Sequence, residues 1–251
     1  SEGSKQFRHK FLSPNSLIFT NLSPEHIESH GSYEKYRAAK LKIAKELERS
    51  KKQNKTIVAN GDDKEANKFL AINVPNKIEF NLTHAEPWQT TDTGVNLTVE
   101  KTKYTSNLPG VFNIYNLLGA IVLARHSEIP PEVIERAIRK INFIRGRMEM
   151  VIKSPFRVIV DYAHTADSLT KAYSVFKNEA KICVLGGTGG GRDKWKRPVM
   201  GGIAGQYCKH IILTNEDPYD ENPKAIIEDI ARGIKKDNFE IIIDRREAIN
   251  K

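Results

Sequence analysis

The second half of the sequence alternates short, mainly apolar runs with segments of helical length, and this restricts the fold more than any other feature. The apolar runs are 158–160, 181–185, 211–213 and 240–243, and helices are predicted over 166–177, 198–207 and 223–234. Strands that alternate with helices of this length form a parallel, doubly wound sheet, which binds its ligand at the carboxyl ends of the strands. The predicted fold class is therefore α/β.

A glycine-rich stretch, GGTGGGRDKWKRP, follows the strand predicted at 181–185. It combines five glycines and four cationic side chains within residues 186–198. Gly189, Gly190 and Gly191 can adopt positive φ, and a turn between a strand and a helix presents backbone N–H groups to an anion. It is not a Walker A loop, because Arg192-Asp193 follows where Lys-Ser/Thr is required. The stretch predicts a site for an acidic ligand, the alternative being a mobile basic loop.

Two more polar groups follow strands of the same predicted sheet. Asp161 comes directly after the strand at 158–160, and Asn215-Glu216-Asp217-Pro218 comes after the strand at 211–213. Because the carboxyl ends of parallel strands share one edge, we expect these groups and the glycine-rich stretch to line one crevice.

The first half is less regular. Strands are predicted at 16–20 and 56–60, and Ser32 can cap a helix whose apolar face contains Tyr36, Ala39, Ile43 and Leu47. Lys40 lies at the edge of that face. Apolar alternation at 78–82 and 95–99 predicts an antiparallel, hairpin-like sheet over residues 77–101.

Two helices are predicted before the alternating region. The first begins in GVFNIYN at 110–116 and runs to Ala124, with Asn113 and Asn116 on one face of its first turn. The second begins at Pro130-Pro131 and ends near Gly146. The composition changes over 145–152, so we place a domain boundary between residues 146 and 147.

Composition excludes several classes of protein. The net charge is +9, but the cations are dispersed and no basic–aromatic interleaving accompanies them, which argues against nucleic acid as a partner. No run of eighteen apolar residues occurs, so no membrane association is predicted. The polar start is not a secretory signal, and two cysteines without metal or redox spacing indicate a reducing compartment. A cytoplasmic location is predicted.

Eight segments, taken together and in this order, resemble the Mur ligases, which are ATP-dependent enzymes that add amino acids to the nucleotide precursor of peptidoglycan. They are FTNLSPEHIESHGSYEKYRAAK, NGDD, GVFNIYNLLGA, GRMEM, DYAHTADSL, the glycine-rich stretch, TNEDPYDENP and DRREAI. The resemblance covers almost the whole chain and is strongest to the branch that adds the third residue. It implies part of a central ATPase domain at 1–146, followed by a truncated Rossmann-like domain at 147–251.

The resemblance also implies a reaction. A carboxylate of UDP-N-acetylmuramoyl-L-alanyl-D-glutamate attacks the γ-phosphate of ATP, and the amine of a free amino acid then attacks the resulting acyl phosphate. Positioning and charge neutralisation dominate phosphoryl transfer, so the implied cofactors are ATP and Mg²⁺. The expected protein is a monomer that binds neither nucleic acid nor membrane.

Roles for individual residues follow from the same resemblance. Lys40 matches the family's carbamylated lysine and His26 its metal-ligand histidine; carbamylation turns a cation into a hard oxygen ligand suited to Mg²⁺. The matches to positions that bind ATP are Asn116, Arg147, Asp161 and His164. Those that hold the uridine-linked substrate are Gln6 and Arg8. Those that engage or select the incoming amino acid are Arg192, Asn215, Asp217 and Pro218.

The chain also departs from the family pattern. Enzymes that add meso-diaminopimelate carry an Asp-Asn-Pro-Arg signature, whereas this chain has Tyr219 in place of the arginine. A diaminopimelate carboxylate would lose a bidentate partner, so lysine or another amino acid stays open. No GxxxxGK[ST] loop occurs, and we expect the sequence to be an internal segment of an enzyme about twice as long, inactive alone.

Two alternatives stay open. One is a Mur-like ligase with another acceptor, of the folyl-polyglutamate or cyanophycin type, although DYAHT and GGRDKWKRP favour the muramoyl branch. The other is a fragment that binds a nucleotide without catalysis.

Overall fold

The computed structural model describes residues 2–25 and 27–251, without the side chains of residues 2 and 5. It divides into an N-terminal unit (Ser1–Pro24 with Ser32–Val160) and a C-terminal unit (Glu25–Gly31 with Asp161–Lys251). Each unit has its own apolar core. The sequence-based boundary after residue 146 stays a prediction.

The helices and strands follow one another in a mixed α/β order. They are α1 (Glu2–Lys5), β1 (Ser16–Phe19), α2 (Ile27–His30), α3 (Tyr33–Arg49), β2 (Thr56–Asn60), α4 (Ala66–Leu70), β3 (Asn76–Phe80), a 3-10 turn (Leu82–Ala85), β4 (Gln89–Thr90), β5 (Val95–Val99), β6 (Thr102–Ser106), α5 (Val111–His126), α6 (Pro131–Arg139), β7 (Glu149–Ile152), β8 (Val158–Val160), α7 (Ala166–Val175), β9 (Ile182–Leu185), α8 (Lys196–Tyr207), β10 (His210–Leu213), α9 (Pro223–Ala231), β11 (Phe239–Ile241) and α10 (Arg245–Asn250).

The N-terminal unit contains a parallel sheet in the order β1-β2-β3 and an antiparallel sheet in the order β4-β5-β6. The central strand β2 is buried along its whole length. The antiparallel sheet confirms the prediction for residues 95–99, but the prediction for residues 78–80 was wrong, because β3 pairs in parallel with β2. Apolar residues at every second position show which side chains face the core. An edge strand of a parallel sheet gives the same pattern as a hairpin strand, so the pattern does not reveal the direction of pairing.

Helix α3 begins as predicted. The Ser32 hydroxyl caps it by accepting a hydrogen bond from the Lys35 amide at 3.2 Å. Its buried face includes Tyr36 and Leu47, whereas Ile43 is 37% exposed and its neighbour Ala44 is fully buried. The predicted apolar face was therefore wrong at one position, because the stripe that packs on the sheet is slightly rotated.

Helix α6 ends at Arg139, so the predicted end near Gly146 was wrong. The apolar residues that prompted the longer prediction, Ile141, Phe143 and Ile144, are all exposed. They form no buried face that would extend the helix. Downstream, β8 pairs antiparallel with β7 and joins no parallel sheet among the described residues, contrary to the sequence-based expectation.

The C-terminal unit is built on a parallel sheet in the order β11-β10-β9, which confirms the alternating pattern over residues 182–241. Its core includes the β10 residues Ile211 and Leu213 and the α9 residues Ile226, Ile227 and Ile230. Cys183 and Cys208 are buried free thiols in this core. The polypeptide leaves β9 and β10 at one edge of the sheet, where the two polar segments begin.

The contact between α8 and α9 requires a glycine at position 233. A Cβ atom there would lie 1.7 Å from the Pro198 carbonyl oxygen and 2.9 Å from the Gly202 amide nitrogen, and neither is part of a flexible side chain. We expect Gly233→Ala to lower the free energy of unfolding by about 1–3 kcal/mol. The measurement is the midpoint of urea denaturation followed by circular dichroism.

Gly205→Ala is the matched control for this substitution. A Cβ at Gly205 would meet the Ile234 side chain at 3.5 Å, an ordinary contact, and alanine favours a helix over glycine by roughly 1 kcal/mol. The control should therefore lose no stability. Equal midpoints for Gly233→Ala and the unsubstituted chain would contradict the close approach of the two helices.

Candidate functional site

The glycine-rich stretch after β9 packs directly against the segment after β10. The Gly189 amide donates a hydrogen bond to the Asp217 carbonyl oxygen at 2.8 Å. A Cβ at Gly189 would lie 2.1 Å from the Pro218 carbonyl oxygen, so only glycine permits this approach. Gly190 and Gly191 adopt the positive φ that the sequence allows, with values of 69° and 68°, whereas Gly189 does not have positive φ. The structure thus brings together two of the three polar segments predicted to meet. The third, Asp161, follows β8, which pairs with β7 and is not part of the β11-β10-β9 sheet, so the expectation that all three end strands of one sheet was wrong.

The four cations of this stretch have different surroundings. Arg197 is buried and forms ion pairs with the carboxylates of Glu221 and Asp229. Lys194 forms an ion pair with Glu221 at 3.2 Å, and Lys196 lies 3.9 Å from Glu25. The sequence alone suggests that all four face a ligand, whereas three of them are neutralised by the protein itself.

Arg192 is the exception. It is exposed and forms no ion pair with any residue that the structure describes. Its guanidinium carbon lies 5.9 Å from the centre of the Tyr219 ring, and Tyr219 is 65% exposed with a φ of 52°. A planar guanidinium with its hydrogen-bond donors unused can bind a carboxylate bidentately. Arg192 is therefore the cation in this stretch that is available to a ligand.

The segment after β10 is fixed at its start by the end of the sheet. The Asn215 amide donates to the Ile243 carbonyl at 3.2 Å, and the Asn215 carbonyl accepts from Arg245 Nε at 2.8 Å. Asp217 is exposed, while its carbonyl receives the Gly189 amide. Of the predicted amino-acid-binding residues, Arg192, Asp217 and Pro218 lie on the two packed segments, and Asn215 lies where the second begins.

His164 has hydrogen-bond partners at both ring nitrogens. Its Nε2 lies 2.8 Å from Glu25 Oε1 and its Nδ1 lies 3.0 Å from the Tyr162 carbonyl oxygen. The hydrogen bond with Glu25 raises the pKa of His164 above its usual value, although partial burial opposes the shift. A carboxylate and a carbonyl both accept, so the arrangement suits the imidazolium, with a donor on each nitrogen. Asp161 is exposed, and its carboxylate accepts the Ala163 amide at 2.7 Å.

The short segment Glu25–Gly31 packs in the C-terminal unit, and no sequence pattern predicted this. The Glu28 amide donates to Asp193 Oδ1 at 2.9 Å, and Glu28 Oε1 accepts the Lys194 amide at 2.9 Å. Asp193 is 3% exposed. The four-residue helix α2 is too short to give a periodicity, so only its long-range partners reveal where it belongs. His26 lies outside the described residues.

In the N-terminal unit, Lys40 lies on α3 and is half-buried. Its Nζ is 5.7 Å from the centre of the Tyr36 ring and has no hydrogen bond or ion pair with the described residues. Gln6 and Arg8 are exposed in the turn after α1, where the Arg8 amide donates to the Gly3 carbonyl at 2.8 Å.

The predicted pair of asparagines lies at the start of α5. Gly110 precedes the helix with a φ of 96°. Asn113 is buried and donates through Nδ2 to the Pro109 carbonyl at 2.7 Å, while its Oδ1 accepts from Asn116 Nδ2 at 3.1 Å. Asn116 is exposed. Arg147 is exposed in the turn before β7, and its amide donates to the Ile144 carbonyl.

Among the described residues, no three His, Cys, Asp or Glu side chains cluster in a way that could hold a metal ion. No helix within residues 2–25 and 27–251 has the length and apolar composition needed to cross a bilayer.

Comparison with known proteins gives matches over most of the chain. The profile of the Mur ligase middle domain matches residues 1–124, and that of the Mur ligase glutamate ligase domain matches residues 146–251. A UDP-N-acetylmuramoyl-L-alanyl-D-glutamate–2,6-diaminopimelate ligase of Halalkalibacterium halodurans is 35% identical over 246 residues, which are 93% of this chain and 50% of that protein. The chain spans about half the length of the curated relatives it matches.

Solved structures give the same result for the fold. A 2,6-diaminopimelate ligase structure is 28% identical with a TM-score of 0.58, covering 99% of this chain and 54% of that one. Folylpolyglutamate synthase of Mycobacterium tuberculosis, complexed with ADP, has a TM-score of 0.77 at 15% identity, covering 96% and 56%. The second match concerns the fold alone. From the two domain profiles, the eight ordered motifs and the fold, the chain belongs to the Mur ligase family, of which it carries the middle and C-terminal domains.

Proposed function

We propose that the full-length protein is a cytoplasmic, ATP- and Mg²⁺-dependent ligase that adds the third amino acid to UDP-N-acetylmuramoyl-L-alanyl-D-glutamate. The observation that carries the proposal is the state of Arg192. It is the cation of the glycine-rich stretch that has no carboxylate partner among the described residues, and it lies beside the segment containing Asp217 and Pro218. A relative of 35% identity is named for this reaction with 2,6-diaminopimelate as the added amino acid.

Two bonds are exchanged in the proposed reaction. A carboxylate oxygen of the nucleotide substrate attacks the γ-phosphorus of ATP, and the bond to the ADP oxygen breaks. The amine of the incoming amino acid then attacks the acyl carbon, phosphate leaves with the electron pair of the C–O bond, and the amine loses a proton. Because little covalent chemistry is required of the protein, its task is to hold the two substrates in line and to neutralise charge.

The residues of this chain divide that task. Arg192 would bind the carboxylate of the incoming amino acid, with Asn215, Asp217 and Pro218 shaping its surroundings. Asn116, Arg147, Asp161 and His164 would bind ATP. His164, whose imidazolium is held between Glu25 and the Tyr162 carbonyl, would lie close to the phosphates. Gln6 and Arg8, both exposed, would contact the uridine-linked substrate.

We assign Lys40 and His26 a role in holding Mg²⁺. The Lys40 amine has no carboxylate partner among the described residues, so it can take up carbon dioxide and become a carbamate with hard oxygen ligands. Lys40 and His26 would hold the ion. When bound, Mg²⁺ neutralises charge that develops on the transferred phosphoryl group.

ATP-dependent phosphate release by the full-length protein tests the function. The assay contains UDP-N-acetylmuramoyl-L-alanyl-D-glutamate, Mg²⁺ and bicarbonate, and separate wells contain diaminopimelate, lysine or another amino acid. We expect release that requires both the nucleotide and one amino acid. The preferred amino acid also tests whether Tyr219, in the place of an arginine, disfavours diaminopimelate. No release from folded protein in any well would contradict the muramoyl acceptor and direct the assay to folate acceptors.

A further inference from the structure

The buried guanidinium of Arg197 joins three segments of the C-terminal unit. The side chain lies in the first turn of α8 and is 3% exposed. Its Nη1 donates to Asp229 Oδ2 on α9 at 3.1 Å, and its Nη2 donates to Glu221 Oε2 at 2.9 Å. The same Nη2 lies 3.3 Å from the Thr188 carbonyl oxygen in the glycine-rich stretch. A single cation therefore connects that stretch, α9 and Glu221 in the segment that leads into α9.

Glu221 extends this connection back to the glycine-rich stretch. Its Oε1 accepts the Gly191 amide at 3.4 Å, and its Oε2 also forms an ion pair with Lys194 at 3.2 Å. Burial alone would raise the pKa of Glu221, but the hydrogen bonds from Arg197 and Lys194 outweigh it and lower that pKa below its usual value. The carboxylate is thus charged at neutral pH, and it contacts Gly191 and Lys194, which lie one residue before and two residues after Arg192.

A second connection lies at the other end of the same two segments. The Gly189 amide donates to the Asp217 carbonyl at 2.8 Å, and Gly189 approaches Pro218 more closely than any side chain would allow. Arg192 and Tyr219 therefore lie on loops that are joined on both sides. One side is joined by backbone atoms and the other by the Arg197–Glu221 ion pair.

We propose that Arg197 and Glu221 are positioning residues that set the affinity for the incoming amino acid by holding the Arg192 loop against residues 217–219. The inference rests on the proposed ligase function and extends it to two residues that bind each other within the protein. The guanidinium fork reaches Glu221 and Asp229 together, which a lysine ammonium on a single stem cannot reproduce. A displacement of about 1 Å in a substrate-binding group costs up to about 100-fold in rate.

The test uses Glu221→Ala in the full-length protein. In that variant the buried guanidinium of Arg197 still has the Asp229 carboxylate as a partner, so its charge stays compensated and the protein should fold. We expect the KM for the amino acid to rise about 10-fold or more, while the KM values for ATP and for the nucleotide acceptor stay within about 2-fold. Glu221→Gln retains an acceptor for the Gly191 amide and should recover part of the loss. Arg197→Lys should resemble Glu221→Ala.

Glu240→Ala is the matched control. Glu240 lies in the same unit and accepts a hydrogen bond from His210 at 2.9 Å. It is on β11, which β10 separates from β9, the strand that leads into the glycine-rich stretch. Its kinetic constants should equal those of the unsubstituted protein. Equal increases in KM for all three substrates after Glu221→Ala, or no increase for the amino acid, would overturn the proposal.

Hydrogen exchange separates this inference from the ligase assignment. Amides of residues 186–197 and 215–222 should exchange faster in Glu221→Ala than in the unsubstituted protein and in Glu240→Ala. If the unsubstituted protein releases no phosphate with any amino acid, the ligase proposal fails, and the exchange rates alone then decide whether the ion pair holds the two loops. Unchanged exchange in both segments would overturn that connection.

Discussion

Lys40→Ala in the full-length protein is expected to abolish amino-acid-dependent phosphate release, with a loss of at least about 10³-fold, because charge stabilisation by a bound metal ion is worth several kcal/mol. The structure supports the choice of residue, since the Lys40 amine has no hydrogen bond or ion pair with the described residues and lies on a well-anchored helix. The amine can therefore carry a carbamate without first losing a structural partner.

Rescue distinguishes a carbamate from an ordinary lysine. A small carboxylate such as acetate should restore part of the activity of Lys40→Ala, because it supplies the oxygen ligand that the carbamate would provide. Added acetate should not stimulate the unsubstituted protein. Lys42→Ala is the matched control, since Lys42 is an exposed lysine on the same helix. Unchanged turnover of Lys40→Ala without added carboxylate would contradict the role given to this residue.

Arg192→Ala is expected to raise the KM for the incoming amino acid by about 10- to 100-fold, the effect of losing a charge-assisted, bidentate hydrogen bond. The KM for ATP should change little, because ATP is assigned to other residues. The three other cations of the stretch also keep their carboxylate partners, so the surrounding structure should stay the same. Steady-state kinetics with the amino acid and ATP varied separately measure the two constants. Arg192→Lys should recover only part of the loss, since an ammonium group cannot reproduce the planar fork.

Lys224→Ala serves as the control for this substitution. Lys224 is an exposed cation at the start of α9 in the same unit, so its removal changes the net charge equally. Its kinetic constants should be those of the unsubstituted protein. An equal effect of both substitutions would mean that the general positive charge, and not the Arg192 contact, attracts the amino acid.

Local sequence signals predicted the elements that local physics controls. Ser32 caps α3 because its hydroxyl can reach an amide three residues later, and this needs no information from elsewhere in the chain. The parallel strands β9, β10 and β11 follow from short apolar runs that alternate with helices, although β9 and β11 each keep exposed positions. Gly190 and Gly191 adopt the positive φ expected of a tight turn after a strand.

Strand pairing and the extent of helices were less predictable. The alternation around Ile78 and Phe80 gives the same burial in a parallel edge strand as in a hairpin, so it could not identify β2 as the partner. The run at 158–160 reads as a strand of the parallel sheet, yet β8 pairs antiparallel with β7. In both cases the partner is set by contacts far apart in sequence, about which a local pattern carries no information.

By itself the sequence determined the α/β class, the glycine-rich turn and the family, because these depend on residue type and on spacing along the chain. Only the tertiary structure decided which cations are neutralised. Arg192, Lys194, Lys196 and Arg197 look equivalent in sequence, yet Glu25, Glu221 and Asp229 pair with the last three. The physical reason is that ion pairing and burial depend on distances in space, and each of these carboxylates lies at least 24 residues from the cation it neutralises.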